Sequence, residues 1–335
     1  MDFRSLARAM SIATPYNLRE SIGWVIRNIT GPGRKNTRIV ESIPCSYVLN
    51  EGVKPEHEAT FVGDIMPTFR RHVKFGPDVM EFVRGSDFLV GNFSGTITNR
   101  QKGFLNLSLD QRHVPDIRDM LARFFPPEKT YLSVCNNHMG DFDNKTFLNS
   151  VSMLEAYGFK VFGWNKRPYA DVNKNIRILI GTMWSNRDCD YVCKLEDAES
   201  HIKHDAFNFL YPHIGYELEA NPRAEIIRLG KDLIRTFDAV IGDHSHWPQQ
   251  VTSESVGGIN KLLAYSLGDF CGGLQLKKYQ YGIILKTQIG RDARKRQLVC
   301  KVEWRITKFS PTSNSEVVVD IIKEEKEVGS TCKLT

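Results

Sequence analysis

The stretch Val240-Ile241-Gly242-Asp243-His244-Ser245-His246-Trp247-Pro248-Gln249 is a short apolar run that breaks at Gly242 into a polar turn. The run reads as a buried strand, and the turn carries two imidazoles one residue apart. Alternate residues of such a turn can face the same way, so His244 and His246 can meet at one cation. A His-x-His pair alone is weak evidence. Its meaning depends on whether other strands end in the same manner.

They do. Ala59-Thr60-Phe61-Val62-Gly63 ends in Asp64, and Asp87-Phe88-Leu89-Val90-Gly91 ends in Asn92. Tyr131-Leu132-Ser133-Val134-Cys135 runs into Asn136-Asn137-His138, and Phe207-Asn208-Phe209-Leu210-Tyr211 runs into Pro212-His213. Asp64 alone also suits a cap or turn, and His213 alone a core or surface histidine. Their shared placement points to a site, because α/β sheets build sites from loops at strand ends. Carboxylate, amide and neutral imidazole together suit one or two divalent ions of the Mn, Zn or Fe kind.

Helical patterns lie between the strands. Ile117, Met120, Leu121 and Phe124 share one face, as do Phe147, Val151, Leu154 and Tyr157, with Gly158 past the end. A further helix is expected from Pro222 to Phe237. Late in the chain, Leu298, Cys300, Val302, Trp304 and Ile306 alternate with mostly polar residues, a half-buried strand. The result is an α/β fold rich in strand. With 335 residues and 41% hydrophobic content, the chain can bury a full core. Three parts are expected: a partly helical appendage over residues 1–58, a metal-binding domain over 59–322 and a polar tail over 323–335.

The net charge is +6, with 45 basic and 39 acidic residues scattered along the chain. A nucleic-acid footprint needs a basic stripe with interleaved aromatics, so nucleic acid is not the expected partner. An anionic small-molecule or polymer substrate is. Seven cysteines, an odd number, with several in apolar runs, favour reduced thiols. No apolar run reaches membrane-spanning length, and Met1-Asp2-Phe3-Arg4 does not open a secretory leader, so a cytoplasmic protein is expected. Leu18, Ile22, Val25, Ile26 and Ile29 fall at helical spacing in a basic segment. Two readings stand for this helix: packing on the outside of the domain, or contact with a membrane surface or a protein partner.

Five segments, in order across roughly residues 59–290, resemble the CapA proteins of bacterial capsule and poly-γ-glutamate synthesis. Phe61-Val62-Gly63-Asp64-Ile65-Met66-Pro67 is similar to their first motif, and Val134-Cys135-Asn136-Asn137-His138-Met139-Gly140-Asp141 to their Ala-Asn-Asn-His-x-x-Asp motif. Pro212-His213-Ile214-Gly215-Tyr216-Glu217 looks like His-Trp-Gly-x-Glu, and Gly242-Asp243-His244-Ser245-His246 like Gly-His-His-Pro-His. Tyr265-Ser266-Leu267-Gly268-Asp269-Phe270 looks like Tyr-Ser-Leu-Gly-Asn-Phe.

The resemblance implies a calcineurin-like metallophosphoesterase sandwich, two β-sheets flanked by helices. It implies metal ligands at Asp64, Asn137, His213, His244 and His246, with His138 as the catalytic histidine. Asp64 would bridge two cations that clamp a phosphoryl oxygen. Asp141 would orient His138 or else cap a turn. Asn92 and Glu217 would support the site or only their own loops.

Three positions depart from the family pattern. Asn92-Phe93-Ser94 stands where the family has Asn-Leu-Glu, removing a carboxylate. Asp243 replaces a histidine, either as a substitute ligand or a bystander. Asp269 replaces an asparagine and adds negative charge near the expected site. The expected activity is hydrolysis of a phosphoester or related anionic group. Its rival is a non-catalytic relative that binds an anionic polymer or a synthesis complex.

Overall fold

The computed structural model describes residues 14–34, 36, 40–100, 110–272 and 276–323. Its strands, in chain order, are β1 (Ser46–Val48), β2 (Lys54–Ile65), β3 (His72–Phe75), β4 (Phe88–Phe93), β5 (Thr96–Ile97) and β6 (Arg112–His113). Then come β7 (Thr130–Ser133), β8 (Lys160–Phe162), β9 (Tyr169–Asn173), β10 (Ile176–Leu179), β11 (Phe207–Leu210) and β12 (Ala239–Ile241). The last are β13 (Val251–Val256), β14 (Ile259–Ala264), β15 (Asp269–Cys271), β16 (Tyr281–Arg291), β17 (Gln297–Ser313) and β18 (Glu316–Ile321). The helices are α1 (Leu18–Thr30), α2 (Pro77–Val83), α3 (Ile117–Phe124), α4 (Asn144–Glu155) and α5 (Ala224–Thr236).

Two sheets hold most of these strands. The first runs β3-β18-β17-β16-β2-β4-β7-β8, with β1 on β17 and β15 on β2. The second runs β13-β14-β12-β11-β10-β9. Period-two alternation stacks them. Ala59 and Phe61 of β2 and Phe88 and Val90 of β4 join Ile176 and Ile178, Phe207 and Phe209, and Ala239 and Ile241 in one core between the sheets. The intervening residues face outward: Val62 and Leu89 meet α2, α3 and α4 through Val79, Leu121 and Phe147, and Leu179, Leu210, Val240 and Leu263 meet α5 through Ile226 and Ile234. The helix, sheet, sheet, helix sandwich expected above is what the chain forms.

Boundaries differ in detail. β2 begins at Lys54, so it crosses the domain boundary expected after residue 58, and β1 pairs with β17 of the main sheet. Main-chain pairing is not legible in composition, and Lys54–Glu58 alternates without a strong apolar face. Helix α4 starts after Asp143, whose carboxylate accepts the Thr146 N–H at 2.8 Å, and the chain turns back at Gly158 with φ 107°. The six described cysteines are free thiols. The tail beyond Lys323 lies outside the described residues.

Helix α1 packs on the outside of the sandwich, but by its polar face. Ser21 and Arg27 are buried, whereas Leu18, Ile22, Val25 and Ile26 are 46–55% exposed and Ile29 is 80% exposed.

Candidate metal centre

The strand ends expected to carry ligands converge because both sheets have parallel centres. In the first sheet β2, β4 and β7 run parallel, with Asp64 opposite Asn92 and Asn92 opposite Ser133. β15 adds Asp269 opposite Asp64 on the other side. That pairing needs glycine at position 63: a Cβ there would sit 1.9 Å from the Gly268 carbonyl oxygen, and Asp64 N–H donates to that oxygen at 2.9 Å. In the second sheet β10, β11, β12 and β14 run parallel, and an isolated bridge sets His213 beside Asp243. The site is therefore a row Asp269, Asp64, Asn92 facing a row His213, Asp243.

The turn quoted at the outset adds strain. His244 has φ 96° and His246 φ 52°, both in the left-handed region, where a non-glycine residue costs about 1–3 kcal/mol. Gly242 permits the turn, since a Cβ there would lie 2.4 Å from the Tyr265 carbonyl oxygen. Strained backbone at two alternating histidines is a recurrent mark of functional geometry.

Two groups of ligand atoms result, each with its atoms within 4.8 Å of one another: Asp64, His246 and Asp269, and Asp64, His213 and Asp243. Asp64 belongs to both. His246 Nδ1 lies 2.7 Å from Asp269 Oδ1 and 3.4 Å from Asp64 Oδ2. His213 Nδ1 lies 2.7 Å from Asp243 Oδ1, and its Nε2 lies 3.1 Å from Asn137 Oδ1. The Asn92 amide donates to Asp64 Oδ1 and sits 3.3 Å from His213 Nδ1. Asn136 Nδ2 contacts the Asn92 side-chain oxygen at 3.2 Å and fixes that amide.

Burial makes the cluster electrostatically costly. Asp64, Asp243 and Asp269 are essentially inaccessible. Burial pushes Asp64 up to about 7, and the neighbouring Asp243 charge adds to the shift. Burial raises Asp269 to about 7 against the pull of His246, and raises Asp243 well above the carboxylate range. Burial disfavours charge on His246, but Asp269 and Asp64 outweigh it and raise the imidazole to about 10. Burial, with the charge of His246, holds His213 and His244 well below the ordinary range. Asp64 Oδ2, Asp243 Oδ2, Asp269 Oδ2 and His244 Nδ1 are buried and take part in no hydrogen bond. Buried polar atoms are otherwise nearly always satisfied. Three unsatisfied carboxylate oxygens beside the imidazoles of His213, His244 and His246 are a donor set that fits a divalent cation.

Around this centre the remaining expected residues divide. His138 Nδ1 lies 2.7 Å from Asp141 Oδ2, and the other side of Asp141 meets Arg187 Nε at 3.9 Å. His138 is close enough that its charge lowers His213 and His244. Ser94 does not join the carboxylate groups. Its hydroxyl donates to Gln111 Oε1 at 2.8 Å and its carbonyl oxygen lies 2.8 Å from His113 Nε2, while Gln111 N–H donates to Asp141 Oδ2 at 2.9 Å. Glu217 bonds to helix α1 at the edge of the site: its Oε2 accepts the Trp24 indole N–H at 2.5 Å and its carbonyl oxygen accepts Arg27 Nε–H at 2.8 Å, while its charge helps to raise His246.

One residue of the site carries no sequence signal. Tyr16, 1% exposed, accepts the Glu217 N–H at 3.1 Å, and its hydroxyl sits 2.9 Å from His244 Nε2. It lies in a turn ahead of α1, and the only local cue is Asn17, which caps that helix by accepting the Glu20 N–H.

The family model described as "Bacterial capsule synthesis protein PGA_cap" matches residues 58–273, which bears out the resemblance read from the motifs. No curated protein matches. Among solved structures, "Crystal structure of calcineurin-like phosphoesterase YfkN from Bacillus subtilis" is similar at 13% identity and a TM-score of 0.43, covering 82% of this chain and 95% of that one.

Proposed function

Because the chain belongs to the bacterial capsule synthesis protein family PGA_cap, we propose that it is a metal-dependent hydrolase of a phosphoester or related anionic group, acting in the synthesis of a capsule or poly-γ-glutamate polymer. The observation that carries this reading is the pair of ligand groups joined at Asp64, with their unsatisfied carboxylate oxygens. Asp64, His246 and Asp269 would hold one cation. Asp64, His213 and Asp243, with Asn137, would hold the other, and His244, whose ring packs against that of His213, would offer a further neutral imidazole. Divalent cations bound there would polarise a phosphoryl oxygen as Lewis acids.

The chain's own groups supply the rest. Asp141 fixes the ring of His138 through Nδ1, which leaves Nε2 to hand a proton to the leaving oxygen. Arg187 and the Gln111 N–H hold Asp141 in turn. The turn of positive φ carries His244 and His246, and their rings are held by Tyr16 at His244 Nε2 and by Asp269 at His246 Nδ1. The close packing of Gly63 on Gly268 holds Asp64 and Asp269 abreast.

Ser94 favours a second reading, a relative that binds an anionic polymer without cleaving it, because its hydroxyl is spent on Gln111 and supplies no carboxylate. One experiment separates the two. The chain is purified without chelator, its metal content measured, and hydrolysis of an aryl phosphate followed with added Mn. The proposal expects bound metal and Mn-dependent turnover. It also expects His138→Asn to keep the metal while losing turnover by on the order of 10²–10⁴-fold. Metal without turnover supports the binding reading. No metal and no turnover, with His246→Ala indistinguishable from wild type, overturns the hydrolase reading.

A further inference from the structure

Helix α1 is turned inside out relative to an ordinary surface helix, which buries its apolar stripe and exposes its polar face. Here the polar face is tied down. Arg27 pairs with Glu20 at 2.8 Å and Glu219 at 3.3 Å, and Arg223 pairs with the same two carboxylates at 2.8 and 2.6 Å. Trp24 and Arg27 bond Glu217, Tyr279 OH donates to Asn28 Oδ1 at 2.7 Å, and Gly33 N–H donates to the Leu218 carbonyl at 2.7 Å. The orientation is fixed by a network, and Leu18, Ile22, Val25, Ile26 and Ile29 are directed outward by it.

The surroundings of the stripe are basic. Arg19 is exposed within it, and Arg34 is exposed beyond the helix end. Leu276 and Lys277 are exposed beside Lys278, whose ammonium donates to the Asn28 carbonyl. In sequence, apart from the buried Arg27 and its partner Glu20, residues 1–35 carry Arg4, Arg8, Arg19, Arg34 and Lys35 against Asp2. An aliphatic stripe rimmed by Lys and Arg is the chemistry of a helix that lies in the headgroup region of an anionic bilayer. A second copy of this chain fits less well, since it would bring this basic rim against itself.

We propose that helix α1 docks the protein on an anionic lipid surface through Leu18, Ile22, Val25, Ile26 and Ile29. Its inner face, through Glu217 and Tyr16, then holds the metal centre beside that surface. This rests on the exposed stripe and its charge, and stands whether or not the centre is catalytic.

The test is co-sedimentation of the full chain with vesicles of phosphatidylcholine alone and of equal parts phosphatidylcholine and phosphatidylglycerol. Binding is expected to the anionic vesicles only and to weaken in high salt. The double variant Ile22→Glu with Ile26→Glu is expected to need on the order of tenfold more lipid, or more, for half-binding. Ile22→Ser with Ile26→Ser, gentler on folding, is expected to weaken binding in the same direction. Metal content serves as the folding control and is expected to be unchanged in both. Sedimentation with neither vesicle, equal sedimentation with neutral vesicles, or full binding by both variants overturns the proposal. So does a concentration-dependent doubling of mass in light scattering that the variants abolish, which assigns the stripe to a second copy.

Discussion

The candidate metal centre and helix α1 depart from the usual inside–outside arrangement in opposite senses. At the centre, Asp64, Asp243 and Asp269 bury carboxylate oxygens that no donor satisfies. On the helix, five large aliphatic side chains face outward while Arg27 is buried. Each departure is held in place by its neighbours. The centre is built on strand ladders and two residues of positive φ, and the helix on four ion pairs. Structure that maintains a costly arrangement marks a place where something else is meant to bind. The two places differ in what they ask for. The buried one offers carboxylate oxygens and imidazoles suited to a cation, and the exposed one an aliphatic stripe suited to an apolar surface.

Tyr16 and Glu217 join the two regions, so substitutions can show how far they are separate. The largest effect is expected from Asp64→Asn, because Asp64 serves both ligand groups. Metal content measured by mass spectrometry should fall at both groups and turnover should drop to background, while vesicle binding is unchanged. His246→Ala should remove one group only. A variant of Asp64 that retains full metal would show that Asp64 does not serve both groups.

Tyr16→Phe tests the joint. It removes the hydroxyl that accepts the Glu217 N–H and touches His244 Nε2. Leaving a buried donor unpaired costs about 1–3 kcal/mol, read as a lowered denaturation midpoint. Vesicle binding should persist, since the stripe lies on the other face. Loss of both stability and lipid binding would show that the regions form one cooperative unit.

The smallest effect is a pH dependence. Asp64 and Asp269 are both raised to about 7 in the folded chain, above their unfolded values near 4. The folded, metal-free chain then binds more protons than the unfolded one, so this contribution to stability is present below about 4 and lost as pH rises to about 7. His246, raised to about 10, acts in the same sense at higher pH. His213 and His244, lowered by burial, act oppositely below their unfolded value near 6.5. Above that value the metal-free chain should lose stability as pH rises to about 8, by a few degrees of Tm. The loaded chain should not, because the cation takes the place of the protons. Equal slopes for the two forms would contradict the cation's place among these carboxylates.

Much of this was legible in the sequence, for local reasons. Strand ends at Asp64, Asn92, Asn136–His138, His213 and Gly242–His246 can be read because a run of apolar residues and the turn that ends it lie within one short window. The alternation of Ala59, Phe61, Phe88 and Val90 against Val62 and Leu89 follows from the two-residue period of a strand. What was not legible depends on pairing between distant segments. The placement of Asp269 beside Asp64 is a ladder across some two hundred residues. Asp243 is set beside His213 by a bridge between two loops. The use of Ser94 depends on Gln111, in a segment with no motif. The periodicity of Leu18 to Ile29 defines a stripe, but not which side of the helix the rest of the molecule will occupy. Glu20, Glu217, Glu219 and Arg223 decide that, and three of the four are remote in sequence.

Anomalous diffraction from crystals grown with Mn would show whether Asp64 lies between two cation positions. Anomalous peaks are expected on both sides of the Asp64 carboxylate, one against His246 and Asp269 and one against His213 and Asp243. Peaks confined to the protein surface, or none within reach of Asp64, would contradict that placement.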